Sequence, residues 1–171
     1  GIVNKILNFS QTEARKKVLH IEILDMRTEL KGILATYDFH LRNKGFDYSV
    51  DSAADVRVKA DREAFTESTT NLLDNAMKYT EAQKRIEITT GTEGEYAFVA
   101  VKDYGVGIGR KEQQHIFDKF YRVPGGNLAR SRGTGLGLSL VKQLMEDQKG
   151  KITVKSEPGN GSVFTLYFLR E

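Results

Sequence analysis

Over the first seventeen residues the apolar side chains Ile2, Val3, Ile6, Leu7 and Phe9 recur at helical spacing. The stretch reads as the end of a helix, and because no capping residue opens it, an upstream element is expected. A second apolar stripe, formed by Leu30, Ile33, Leu34, Tyr37 and Leu41, predicts a helix over 25–43 with Asp25 as N-cap and Gly45 at its stop. β-Branched and aromatic content predicts strands near 46–50, 56–59, 85–90, 95–102, 151–157 and 162–169. Helices are expected over 62–79 and from about 135–138 to 148, and Pro158, Gly159, Asn160 and Gly161 mark a turn between the last two strands. Strands joined by tight turns and interleaved with helices predict an α/β (α+β) two-layer sandwich with a mixed, largely antiparallel sheet.

The expected 62–79 helix has two dissimilar faces. At 100° per residue, Phe65, Thr69, Leu72, Leu73 and Ala76 cluster toward the core, while Glu67, Asn71, Asn75, Lys78 and Tyr79 form a polar stripe opposite, with Ser68 at its edge. Asparagine is a mediocre helix former, so two of them one turn apart oppose local propensity. Such conflicts mark functional positions, although a merely solvated face accounts for Asn71 and Asn75 equally well. An asparagine oxygen is a hard neutral ligand suited to a Mg²⁺ that completes its shell with phosphates and water. Lys78 would add a charge facing phosphate.

A chain of 171 residues accommodates one domain with a sizeable core, and the longest apolar run, 96–101, is far too short to cross a bilayer. The absence of cysteine excludes disulfides, thiolate metal sites and a cysteine nucleophile. His20, His40 and His115 are not spaced as a metal pair on one helix face, which argues against zinc or histidine-based hydrolysis. The net charge of +3 is concentrated over 118–133, where Lys119, Arg122, Arg130 and Arg132 oppose the single acid Asp118. One compact basic loop suits a small polyanion, whereas a nucleic-acid partner would call for basic residues spread along a face.

Two glycine segments add chemistry. DYGVGIG (103–109) follows the expected strand 95–102 and places a carboxylate at the mouth of a tight turn. SRGTGLGL (131–138) opens the helix expected to run to 148, so that glycine amides and a helix N-terminus point together at an anion. Neither segment fits a dinucleotide-binding or Walker pattern. In order and separation, NLLDNAMKYT (71–80), DYGVGI (103–108), IFDKFYR (116–122) and GTGLGL (133–138) resemble the asparagine box, first glycine box, phenylalanine box and second glycine box of sensor histidine kinases. The resemblance runs from about residue 25 to 169. It implies the Bergerat-type ATP-binding fold shared by gyrases, Hsp90 chaperones and mismatch-repair ATPases, with ATP and Mg²⁺ held between a helical layer and a mobile ATP lid at about 118–133.

By the same resemblance Asn75 would hold Mg²⁺, and Asn71, Lys78 and Arg122 would lie near the phosphates. Tyr79 would line the nucleotide pocket, and Asp103 would accept the adenine amino hydrogen. Gly105, Gly107, Ile108 and Phe117 would belong to the ATP-binding set as well. Gly133, Thr134, Gly135, Leu136, Gly137 and Leu138 would bring backbone amides to the phosphates, with Leu136 and Leu138 packing beneath the lid.

ILNFS (6–10) followed by Glu13 resembles the end of the family's second dimerisation helix, so 1–20 is expected to be that helix end and a linker, and 21–171 the catalytic ATP-binding domain. The family's phosphoacceptor histidine is followed by an acidic residue, whereas His20 precedes Ile21, His40 precedes Leu41 and His115 precedes Ile116. The expected function is therefore transfer of the ATP γ-phosphoryl group to a histidine on upstream helices. The expected partners are those helices, a cognate response regulator and a second copy in a homodimeric parent. The expected location is cytoplasmic, with no membrane contact by this stretch and no nucleic acid. One alternative is a gyrase- or chaperone-like ATPase switch, but those relatives carry a water-activating glutamate one turn before the metal-binding asparagine, where this chain has Asn71, which cannot act as a base. The other is a nucleotide-sensing module without catalysis, against which the complete ligand set argues.

Overall fold

The computed structural model describes residues 18–53, 56–124 and 134–171. The helix expected over 2–17, the lid residues 125–133 and the site residue Gly133 lie outside them. The chain runs β1 (Ile21–Asp25), α1 (Met26–Asn43), β2 (Asp47–Asp51), β3 (Arg57–Asp61), α2 (Arg62–Tyr79), β4 (Arg85–Glu93), β5 (Tyr96–Asp103), α3 (Arg110–Gln113), α4 (Gly137–Asp147), β6 (Lys151–Ser156) and β7 (Ser162–Leu169). Among the described residues no helix is long and apolar enough to cross a membrane.

Five strands form a sheet in the order β2-β4-β5-β7-β6, with β2 and β4 parallel and the other neighbours antiparallel. Burial alternates strictly along β5 and β7, so Ala97, Val99, Val101 and Asp103 share an inner face with Ser162, Phe164, Leu166 and Phe168. That face meets α2 and α4, and the rings of Phe65 and Phe168 lie 4.9 Å apart at the centre of the core. The expected mixed, mostly antiparallel sheet under helices is what forms.

A second sheet was not expected from the sequence: β1 pairs antiparallel with β3, in register from Ile21 opposite Asp61 to Asp25 opposite Arg57. The strand is hard to see because Asp25 ends it and also caps α1, accepting from the Thr28 amide at 2.7 Å, so no turn separates strand from helix. Its partner is also distant in sequence. The short helix α3 likewise lies in a region read as irregular.

Asp61 joins several of these elements. Buried at the end of β3, it caps α2 by accepting from the Ala64 amide (2.8 Å) and also accepts from the His20 amide (2.8 Å), while its own N–H donates to Gln148 Oε1 (3.2 Å) at the end of α4. The expected polar stripe on α2 needs one correction. Ser68 is fully buried, and its hydroxyl has no partner among the described residues. Because α2 packs against α1 and α4 as well as the sheet, its buried arc is wider than a single covering layer produces.

The two helix caps differ in environment, which makes them comparable probes. Asp25→Ala, at a half-buried cap, should cost about 1 kcal/mol, and Asp61→Ala about 2 kcal/mol or more, because the buried Ala64 amide and the His20 amide lose their common acceptor. Urea denaturation of both variants checks this, and equal losses would contradict a joining role for Asp61.

Candidate functional site

Asp103 ends β5 on its inner face, 5% exposed, where β7 and the following glycine turn close over it. Its carboxylate accepts from the Gly105 amide at 2.8 Å. Burial pushes the carboxyl above its ordinary value, opposed by the backbone amides of Gly105 and Ser162. A side chain at 105 would collide with the Tyr79 carbonyl, so glycine lets the turn pass directly against the end of α2.

Above Asp103 a cleft opens between α2, the 106–108 turn and β7. Val106, Ile108, Ile116, Val123, Leu138 and Phe164 supply apolar walls, and Asn75, Tyr79, Asp103, Tyr121, Arg122 and Ser162 supply the polar groups. An apolar slot with a buried carboxylate at its floor selects a flat ligand that carries a hydrogen-bond donor at one edge.

Of the site residues expected from sequence, Asn75, Tyr79, Asp103, Gly107, Ile108, Arg122 and Leu138 meet in this cleft. Others stand beside it. Asn71 donates from Nδ2 to the Glu67 carbonyl (2.9 Å), and its Oδ1 lies 3.0 Å from where a Cβ on Gly137 would sit, which places it against the start of α4. Lys78 donates to the Tyr79 hydroxyl (2.9 Å) and lies over that ring, so it is engaged with Tyr79 and does not line the cleft. Phe117 packs against the core, and Leu136 is buried. Gly135 accepts from the Phe120 amide at 3.0 Å, tying the start of the expected lid to the residues before α4. Thr134 is half-buried beside it. Among the described residues α4 has no side-chain cap, Leu136 standing at its N-cap position.

Ser162 and Phe164 were missed by sequence reading, together with Val106, Ile116, Tyr121 and Val123. The register explains the first two: Ser162 is the direct partner of Asp103, and the period of two along β7 puts Phe164 on the same face. Tyr121 is held by a hydrogen bond to Glu112 in the α3 helix, an element the sequence did not reveal.

The profile of the histidine kinase-, DNA gyrase B- and HSP90-like ATPases matches residues 60–171. The chain belongs to this family. Within this ATPase family it is 42% identical over 111 residues to the sensor histidine kinase YkoH of Bacillus subtilis, covering 65% of this chain and 24% of YkoH. It is 33% identical over 167 residues to the sensor protein RprX of Bacteroides fragilis, covering 96% of this chain and 32% of RprX. The catalytic domain of the histidine kinase ThkA superposes with a TM-score of 0.77 at 25% identity, covering 89% of this chain and 97% of that domain, and a second ThkA structure is a complex with the response regulator TrrA (TM-score 0.78, 25% identity, 99% and 46% covered). The chain thus spans about a quarter to a third of the length of the two curated relatives.

The raised Asp103 carboxyl has a stability consequence. Its folded value lies above the ordinary 3.8, so the stability it contributes is fully present below that value and is lost as pH rises through the folded value. Asp103→Asn keeps an acceptor for the Gly105 amide and carries no charge. The variant should gain stability relative to the parent as pH rises from about 3 to 7, measured by urea denaturation at each pH. Parallel pH profiles would contradict the assignment.

Proposed function

We propose that this chain is the ATP-binding catalytic part of a two-component sensor histidine kinase and that it passes the γ-phosphoryl group of ATP to a histidine on upstream dimerisation helices. The observation that carries the reading is the buried Asp103 carboxylate at the floor of an apolar slot, with Asn75 entering from α2. Adenine presents an amino donor to such an acceptor, whereas guanine presents a carbonyl oxygen. Val106, Ile108 and Phe164 provide apolar surface for the ring.

The donor set also suits Mg²⁺. Among the described residues no group of three His, Asp or Glu side chains converges, and α2 brings the Asn75 amide oxygen to the cleft. One neutral oxygen fits a cation that takes its remaining ligands from phosphates and water. Asn75 would hold the ion, which when bound neutralises charge on the phosphates. Arg122, exposed at the cleft, and the uncapped first turn of α4 add positive potential on the same side.

Transfer to a histidine is preferred over transfer to water because Asn71, one turn before Asn75, provides no base. In-chain transfer is not expected. His20, His40 and His115 each precede an aliphatic residue, and His115 is paired with Asp118 at 3.0 Å. An upstream helical hairpin, a second copy of the parent and a response regulator are the proposed partners. A response regulator is what ThkA is bound to in its complex. The domain works on the cytoplasmic side, where ATP is available.

Calorimetry should show ATP bound at least about tenfold more tightly than GTP, the size expected of a charge-assisted hydrogen bond, and Asp103→Asn should sharply narrow that preference because its amide can donate to a carbonyl. Equal affinity of the parent for the two nucleotides would contradict the site. Phosphotransfer tests the reaction: with γ-labelled ATP, Mg²⁺ and a supplied histidine-bearing hairpin, label should appear as an acid-labile, base-stable phosphate on the hairpin. Asn75→Ala should abolish the transfer while leaving adenosine binding intact. Label on the 171-residue chain alone would contradict the proposed division of acceptor and catalyst.

A further inference from the structure

Ser156, the last residue of β6, does not line the cleft, yet it organises two of the cleft's walls. Its hydroxyl donates to the Gly161 carbonyl (2.8 Å), accepts from the Ile108 amide (2.8 Å) and lies 2.9 Å from the Ser162 hydroxyl. Gln113 braces the same point, donating from Nε2 to the carbonyls of Ile108 (2.7 Å) and Ser156 (2.9 Å). The Val106 carbonyl accepts from the Gly159 amide at 2.8 Å. Gly107 packs so closely on the turn after β6 that a Cβ there would collide with the Glu157 carbonyl. The wall at 106–108 is therefore hung on the β6–β7 hairpin through backbone groups, with the Ser156 hydroxyl at the junction.

A serine hydroxyl has one proton and two lone pairs. The proton of Ser156 is committed to the Gly161 carbonyl, which has nothing to donate in return. The short contact between the two serines therefore requires Ser162 to donate to Ser156. Ser162, which lines the cleft beside Asp103, has no second proton, so any bond it makes to a ligand is made as an acceptor. Two acceptors then stand side by side at the base end, and a ligand edge bearing a carbonyl meets no donor from either.

We propose that Ser156 is a positioning residue for nucleotide recognition: it fixes the 106–108 wall and, through its proton, orients Ser162 as an acceptor, so that it supports both adenine affinity and the preference for an amino over a carbonyl edge. Gln113 supports the wall alone. This rests on the nucleotide reading above.

The test is calorimetric titration of the 171-residue chain and its variants with ATP, ADP and GTP. Ser156→Ala should weaken ATP and ADP by about the same factor, roughly two- to tenfold as expected for lost hydrogen bonds, so that the ATP-to-ADP ratio stays constant. It should also narrow the preference for ATP over GTP, because Ser162 regains a proton to offer a carbonyl. Ser156→Thr, which keeps the hydroxyl, should restore both affinity and preference. Gln113→Met should weaken ATP and ADP equally while leaving the ATP-to-GTP preference in place, and it carries the test of the wall if Ser156→Ala does not fold. Wild-type affinities in Ser156→Ala, or in Gln113→Met when the first variant is unfolded, would overturn the proposal, as would a change in the ATP-to-ADP ratio. Failure of the parent chain itself to bind ATP in the same titration would instead remove the nucleotide reading, and this inference with it.

Discussion

A carboxylate taken out of water at the end of a central strand is costly unless amides or a ligand compensate it. Asp103 is in that position, and the surrounding architecture follows from it. Two backbone amides offset part of the cost: that of Gly105, in a turn that only glycine permits, and that of Ser162, brought alongside by antiparallel register. The compensation is incomplete, since burial still raises the carboxyl. A group left short of donors in an apolar slot favours a ligand that brings one, and on the proposed reading the adenine amino group is that donor.

The same requirement shapes α2. One arc of this helix fills the core with Phe65, Leu72, Leu73 and Ala76, while Asn75 and Tyr79 reach the cleft. Holding both arcs in place needs a fixed helix start. Asp61 provides it from a buried position, joined to the residue before β1 and to the end of α4. The packing that orients the cleft is thus anchored at the end of the helix farthest from it.

Much of this was legible in the sequence because local signals agreed with the global fold. The 62–79 helix, its core residues and the closing hairpin follow from periodicity and turn chemistry alone. The ordered glycine and asparagine segments bring out Asp103, Asn75, Tyr79, Gly107, Ile108 and Leu138, all of which meet in the cleft. What sequence reading missed depends on contacts between distant segments. β1 is stabilised by β3 across the whole of α1, and Ser162 and Phe164 join the cleft only once β5 and β7 pair in register. Ser68 reads as polar on a helical wheel, but the neighbouring helices bury it. Lys78 has the charge expected near phosphates, yet its ammonium is held by the adjacent tyrosine.

The central claim is that Asp103 recognises the base and Asn75 anchors the metal of one bound nucleotide. The most direct measurement is a crystal structure of this chain with Mg²⁺ and a non-hydrolysable ATP analogue. The account predicts the adenine amino nitrogen about 3 Å from an Asp103 carboxylate oxygen, the ring between Ile108 and Phe164, and Mg²⁺ ligated by Asn75 Oδ1. A base seated away from Asp103, or a metal with no bond to Asn75, would contradict it.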